Sequence, residues 1–288
     1  MKRIALATSD QFASLTDDDR LLQEPLKSLG FSSEPAVWSD SGVAWTSYDA
    51  VILRSCWDYH LRLAEFLAWI STLEKQGVQV WNPPGMIRWN ANKTYLRDLE
   101  STGIPVIPTF WPEARVNLRD HLRELGWSRA VVKPRVSATA YQTRLVSLDD
   151  GESAQSLFNE LVDGPGVMVQ QFMQAVQTRG EWSLIFFAGQ FSHAVIKTAK
   201  AGDFRVQHDF GGSERSAEPP AFVLEAAKRV IRAVNGVPLY ARVDGVESQR
   251  RFLLMELELI EPMLFLASDS AAADRLAQAV TSLSHQSS

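Results

Sequence analysis

The stretch LLMELELIEPMLFL, residues 253–266, decides how the chain is read. It is apolar enough for the middle of a core, yet it carries Glu256, Glu258 and Glu261. A carboxylate removed from water without a partner costs several kcal/mol or changes its protonation state. Along a strand, side chains alternate between faces. Glu256 and Glu258 therefore share one face, about 6.6 Å apart at Cα. Leu257 and Leu259 point the other way, into a core. Two acids on one face repel each other unless a cation lies between or over them. A hard divalent ion such as Mg²⁺ takes oxygen ligands of this kind and keeps waters or phosphate oxygens besides. Upstream, LYARVD (239–244) reads as a partner strand, and pairing would bring Asp244 to the same face. The same spacing also fits a solvated, amphipathic edge strand.

Working outward, basic residues stand singly at strand positions: Lys133 after AVV, Lys197 at the end of SHAVIK, Arg205 in DFRVQ. Each alone fits a side chain whose stem is buried and whose charge reaches water. Together with the acids they suit a triphosphate, which needs positive charge on its oxygens and Mg²⁺ bridging them. VQQF (169–172) ends a strand where backbone groups could read a purine edge.

The N-terminal third alternates strands and helices. RIALAT (3–8), PAVW (35–38), AVILR (50–54) and VQVW (78–81) read as strands. Thr16 with Asp17, Asp18 and Asp19 suits a helix start, and Pro25 shortens or kinks that helix. Residues 61–76 place Leu63, Phe66, Leu67, Ile70 and Leu73 on one helical face, stopped by Gly77. Such alternation predicts a parallel α/β sheet. A second unit starts near residue 92, and a third, rich in antiparallel candidates, includes a hairpin turning at Ala188-Gly189. SERSAEPPA (213–221) is the most loop-like stretch. Expected boundaries are 1–91, 92–172 and 173–288.

The composition bounds the function. Of 288 residues, 45% are apolar; 29 basic against 34 acidic residues leave a net charge of −5 with no basic run, which argues against a nucleic-acid partner. MKRIALATSD lacks the apolar length of a signal peptide, and no stretch reaches the ~18 apolar residues of a membrane span. Cys56 is the single cysteine, so no internal disulfide forms, and a cytoplasmic setting is expected. The five histidines, at 60, 121, 193, 208 and 285, show no paired metal spacing.

The ordered set Lys93, Lys133-Pro134, Gln170-Gln171-Phe172, Glu181, Lys197, Arg205, Asp244 and Glu256-x-Glu258 resembles the ATP-grasp superfamily. VILRSCWDYHLRLAEFLAWI and NPPGMIRWNANK are similar to its glutathione synthetase-like and D-cycloserine synthetase-like bacterial ligases, and the resemblance covers essentially the whole chain. It implies a parallel α/β domain followed by two α+β domains that clasp ATP. By that resemblance Lys93 and Lys133 contact the ATP phosphates, Gln170, Gln171 and Phe172 form the adenine hinge, and Glu181 holds the ribose. Lys197 and Arg205 stabilise the transferring phosphoryl group, and Asp244, Glu256 and Glu258 bind Mg²⁺. The implied activity joins a small-molecule carboxylate to an amine, and the implied assembly is a homodimer. A non-catalytic ATP-binding regulator and a ligase acting on a peptide or protein end are the alternatives.

Two departures stand out. The loop after Lys133, PRVSATAYQT, has no glycine, where the family's lid is glycine-rich; Ser137, Thr139 and Thr143 offer hydroxyl donors instead. Many relatives also carry Asn where this chain has Glu258. For the acceptor, Arg54, Ser55, Trp57 and Asp58 follow a strand at the end where α/β sheets bind ligands. Arg54 either grips a substrate carboxylate or forms an interdomain salt bridge with an aromatic plug.

Overall fold

The computed structural model describes residues 1–200, 205–206 and 211–286. Short strands of Val, Ile, Leu and Ala build the first sheet. β1 (Lys2–Thr8), β2 (Phe31–Val37), β3 (Ala50–Leu53) and β4 (Gln79–Trp81) lie in the order β2-β1-β3-β4, and all are parallel. The helix Leu63–Lys75 buries Phe66, Ile70 and Leu73, three of the five residues on its predicted apolar face. Thr16 caps the helix Asp17–Arg20, its hydroxyl accepting from the Asp19 amide at 3.1 Å. A second short helix, Gln23–Ser28, carries Pro25, so the segment is broken as expected.

The second sheet has the order β5-β8-β6-β7: β5 (Thr109–Phe110), β6 (Arg129–Pro134), β7 (Arg144–Ser147) and β8 (Val167–Gln171). Its pairs are antiparallel. The helices Leu118–Glu124 and Gly151–Asp163 pack on it through Leu118, Leu122, Phe158 and Leu161.

The third sheet comprises β9 (Glu181–Phe187), β10 (Gln190–Thr198), β11 (Ser213–Ser216), β12 (Tyr240–Ser248) and β13 (Arg251–Glu258), in the order β11-β10-β9-β12-β13. The β9–β10 hairpin turns at Ala188 and Gly189, both at positive φ. Ser213–Ser216 corrects one expectation: this loop-like stretch is an exposed edge strand, because its backbone pairs with β10 although its side chains bury nothing. The amphipathic helix Ala221–Ala233 covers one face of the sheet.

Side chains from the chain's first third seal the outer edge of β13. Asn90 Nδ2 donates to the Leu257 carbonyl and its Oδ1 accepts from the Leu259 amide, both at 2.8 Å. Tyr95 Oη accepts from the Leu257 amide at 3.0 Å, and Asn82 donates to the Leu259 carbonyl at 2.7 Å. Farther back, Leu254 exchanges backbone bonds with Pro105 and Ile107. These contacts fix the cleft between the sheets.

Candidate active site

β12 and β13 pair in the register Asp244↔Glu256 and Arg242↔Glu258. That register supplies the common face expected from the spacing. It also brings in Arg242, which lies two residues before Asp244 and so on the same side of β12. Arg242 Nη2 donates to Asp244 Oδ2 at 2.9 Å and also bonds Glu258 Oε1. Lys197 Nζ lies 2.5 Å from Glu181 and 3.3 Å from Asp244. Ser183 donates to Asp244 at 2.5 Å. Lys93 Nζ donates to Glu256 at 2.6 Å and to the Ser137 carbonyl at 2.8 Å.

These pairs set the charges. Burial works against the Asp244 carboxylate, but Arg242 and Lys197 outweigh it and hold the group down to about 2. Burial lifts Glu258 to about 7 in spite of Arg242. Burial likewise works against the Lys197 ammonium, and Asp244 with Glu181 more than reverses it, so this lysine stays charged. Lys133 differs. It is buried, it borders the cleft, and no carboxylate among the described residues lies within ion-pair distance of it. Burial pulls its ammonium below the ordinary lysine value.

The cleft is lined by Lys93, Lys133, Gln170, Gln171, Phe172, Glu181, Lys197, Arg205, Asp244, Glu256 and Glu258, so the phosphate, hinge and carboxylate candidates converge on one space. Of the segment 201–210, only Arg205 and Val206 are described, and both border it. His208 lies outside the described residues. Two of the hinge amides are engaged inside the protein. The Gln171 amide donates to the Pro108 carbonyl at 2.8 Å and the Phe172 amide to the Arg129 carbonyl at 3.2 Å. Beside the hinge the cleft is lined by the apolar residues Ile107, Val131, Met173, Val176 and Met255.

The acceptor candidates divide. Trp57 borders the cleft, whereas Arg54, Ser55 and Asp58 do not. Arg54 is 2% exposed. Its Nε donates to Asp19 at 2.7 Å, its Nη2 to the Pro262 carbonyl at 2.8 Å, and its guanidinium stacks over Tyr240. Its salt bridge forms, but with Asp19 inside the N-terminal unit; what crosses to the C-terminal unit is the hydrogen bond to Pro262 and the stacking over Tyr240, and each guanidinium nitrogen has a partner inside the protein. Ser55 joins Asp19 in the same cluster, and Asp58 accepts from Trp38 at 2.8 Å and pairs with Arg62 at 3.0 Å.

Among the described residues no three of His, Cys, Asp and Glu converge tightly enough to hold a metal ion. Asp244, Glu256 and Glu258 instead turn to Arg242, Lys197 and Lys93. The donor set still fits Mg²⁺ in kind: all are carboxylate oxygens, and the Glu256 and Glu258 side chains remain partly open to the cleft.

The loop after Lys133 borders this space. Ser137, Ala138, Thr139, Ala140 and Thr143 line it, and the Tyr141 ring meets His60 with centroids 5.1 Å apart. Thr139, Ala140 and Gln142 all take positive φ. The backbone thus adopts the conformation glycine would favour, without glycine. Sequence reasoning passed over Arg242, Tyr59 and Asn90 at the cleft and left Glu261 unassigned. For Arg242 the signal was available in the i, i+2 spacing to Asp244.

A cleft between two antiparallel sheets, lined by paired carboxylates and lysines and preceded by a parallel α/β unit, is the architecture of an ATP-grasp ligase. Residues 4–82 match the family model for the N-terminal domain of D-cycloserine synthetase DcsG. The cycloserine biosynthesis protein DcsG of Streptomyces lavendulae is 31% identical over 96% of this chain and 97% of its own. The crystal structure of D-cycloserine synthetase DcsG superposes with a TM-score of 0.88 at 28% identity, covering 98% of this chain and 99% of that one. The D-alanine–D-alanine ligase of Bacillus anthracis shares the fold, with a TM-score of 0.69 at 16% identity over 99% and 98% of the two chains. The chain belongs to the ATP-grasp superfamily and, within it, to the family of DcsG-type ligases. It is an enzyme with carboxylate–amine ligase chemistry.

Proposed function

We propose that the enzyme is an ATP- and Mg²⁺-dependent ligase that joins small, amino-acid-like substrates through an acyl phosphate. The observation that carries this reading is Lys133, a buried cation bordering the cleft with no carboxylate within ion-pair distance among the described residues, which suits an anionic ligand. We take residues 1–91 as the acceptor-side unit, and 92–172 and 173–288 as the two halves that hold the nucleotide.

In this reading adenine packs on the apolar lining beside Gln170, Gln171 and Phe172, and Glu181 takes the ribose hydroxyls. Lys93 and Lys133 bind phosphate oxygens. Asp244, Glu256 and Glu258 would hold Mg²⁺, which when bound supplies positive charge to the phosphate oxygens. A carboxylate oxygen of the substrate attacks the γ-phosphorus, the bond to the β-phosphate oxygen breaks, and ADP is the leaving group. Lys197 and Arg205 neutralise the charge on the group in transfer. An amine nitrogen then attacks the acyl carbon, inorganic phosphate departs, and the nitrogen loses a proton. Positioning and charge neutralisation provide the catalysis.

The test is a thermal-shift titration with AMPPNP, with and without Mg²⁺, on wild type and Glu256→Ala, followed by screening amine–carboxylate pairs for ADP release. Saturation at about 100 times Kd adds roughly 2.7 kcal/mol of stability. A Mg²⁺-dependent shift lost in the variant supports the reading, and no shift in either protein refutes it.

A further inference from the structure

The cleft also holds one acid, Glu261, for which no ion pair is found among the described residues. Asp244 has Arg242 and Lys197, Glu256 has Lys93, Glu258 has Arg242, and Glu181 has Lys197. Glu261 borders the same cleft and is 7% exposed, yet among the described residues no Lys, Arg or His nitrogen pairs with its carboxylate.

The backbone around it is held in place at three successive carbonyls. Trp57 Nε1 donates to that of Glu261 at 2.9 Å, Arg54 Nη2 to that of Pro262 at 2.8 Å, and Arg242 Nη1 to that of Met263 at 3.0 Å. Two of these clamps come from the N-terminal unit, so Glu261 lies at the end of the cleft bounded by Trp57 and Tyr59. Burying a carboxylate without a partner costs several kcal/mol or protonates it, and burial with Glu258 nearby pushes Glu261 well above the usual carboxylate range until a cation arrives; fixing its backbone forgoes the relaxation that would let it reach water. A binding site built for a cation accounts for both features.

We propose that Glu261 receives a primary ammonium group of the substrate, with the Trp57 and Tyr59 rings walling the site. The inference rests on the ligase reading and narrows it to substrates that carry a free ammonium besides the reacting groups. Held as a cation, that nitrogen has no lone pair to give. It is a recognition handle, distinct from the attacking amine. The aromatic walls suit a cation, which is attracted to the faces of such rings.

The experiment is calorimetric titration with common 2-amino acids in both enantiomers, each beside its 2-hydroxy counterpart, with Mg²⁺ and AMPPNP present, on wild type and Glu261→Gln. Wild type is expected to bind at least one amino compound ten- to a hundredfold more tightly than its hydroxy twin, the range of a hydrogen bond to a charged group. The variant is expected to lose that preference while its affinity for the hydroxy twin stays within threefold. A preference that survives Glu261→Gln, or no ammonium preference in wild type, overturns the proposal. So does loss of the Mg²⁺-dependent AMPPNP shift in the variant, which would make Glu261 a metal ligand. Unchanged binding with lost turnover overturns it too, since a proton-transfer role would produce that pattern. Absence of any AMPPNP shift in wild type is the distinct result that sinks the ligase reading itself.

Discussion

Replacing Arg54 by Met tests whether this side chain is a clamp between the N-terminal unit and the segment after β13. In the folded protein Arg54 and Asp19 form an ion pair with side chains 2% and 4% exposed. Methionine keeps most of the volume but leaves the Asp19 carboxylate buried with Ser55 as its remaining side-chain donor. It also leaves the Pro262 carbonyl without its side-chain donor and removes the cation over Tyr240. Breaking a buried pair by deleting one partner costs about 3–5 kcal/mol, mostly from the charge left behind. Adding Asp19→Asn removes that charge, so the double variant should recover about 2 kcal/mol or more. Urea unfolding of wild type, both single variants and the double variant closes the cycle. If Arg54→Met lies within about 1 kcal/mol of wild type, or if Asp19→Asn gives nothing back in its presence, the clamp is wrong and Arg54 is available for another task.

Lys133→Ala should lower turnover by about 10²-fold or more, the scale of one preorganised electrostatic donor, with thermal stability retained; full turnover with matched substrates would remove Lys133 from the site. His193 gives a pH prediction. Burial holds its imidazole below the ordinary value of 6.5, while Nε2 donates to the Leu264 carbonyl at 2.9 Å. With the folded value below the unfolded one, its contribution is present above pH 6.5 and is lost as the pH falls through the folded value. His193→Gln should flatten that part of the acid limb in urea melts, and an unchanged slope would contradict the assignment. Ala140→Gly places glycine at φ 57°. A non-glycine residue in that region carries about 1 kcal/mol or more of strain, so the substitution should stabilise the loop, read as slower amide exchange over residues 137–143. Faster exchange there would show that glycine's flexibility outweighs the strain.

Much of this was legible from alternation alone. The parallel unit follows from short apolar runs spaced by helices, and Asp244, Glu256 and Glu258 share a face because strand periodicity puts them there. The failures have local causes. Ser213–Ser216 shows no alternation because all four residues are exposed, and its strand character comes from β10. Arg54 stands at a strand end that suits ligand binding. The acid that claims it lies 35 residues earlier, brought close only by the tertiary fold. Glu261 follows the strand, where period-two logic stops, so its burial could not be inferred. The pairing of the carboxylates with Arg242, Lys93 and Lys197 depends on rotamers that spacing does not specify.

The sealed flank of β13 bears on how the protein behaves in a crowded solution. An outermost strand normally offers a row of open amides and carbonyls to any other chain, a template for edge-to-edge association. Here Leu254, Leu257 and Leu259 have theirs occupied by Pro105, Ile107, Asn90, Tyr95 and Asn82. At the opposite side the sheet ends in β11, four residues long, with Glu214 and Arg215 exposed on it. One border is thus closed by side chains and by the backbone of Pro105 and Ile107, and among the described residues the other is short and charged, which leaves few open backbone groups for edge-to-edge pairing.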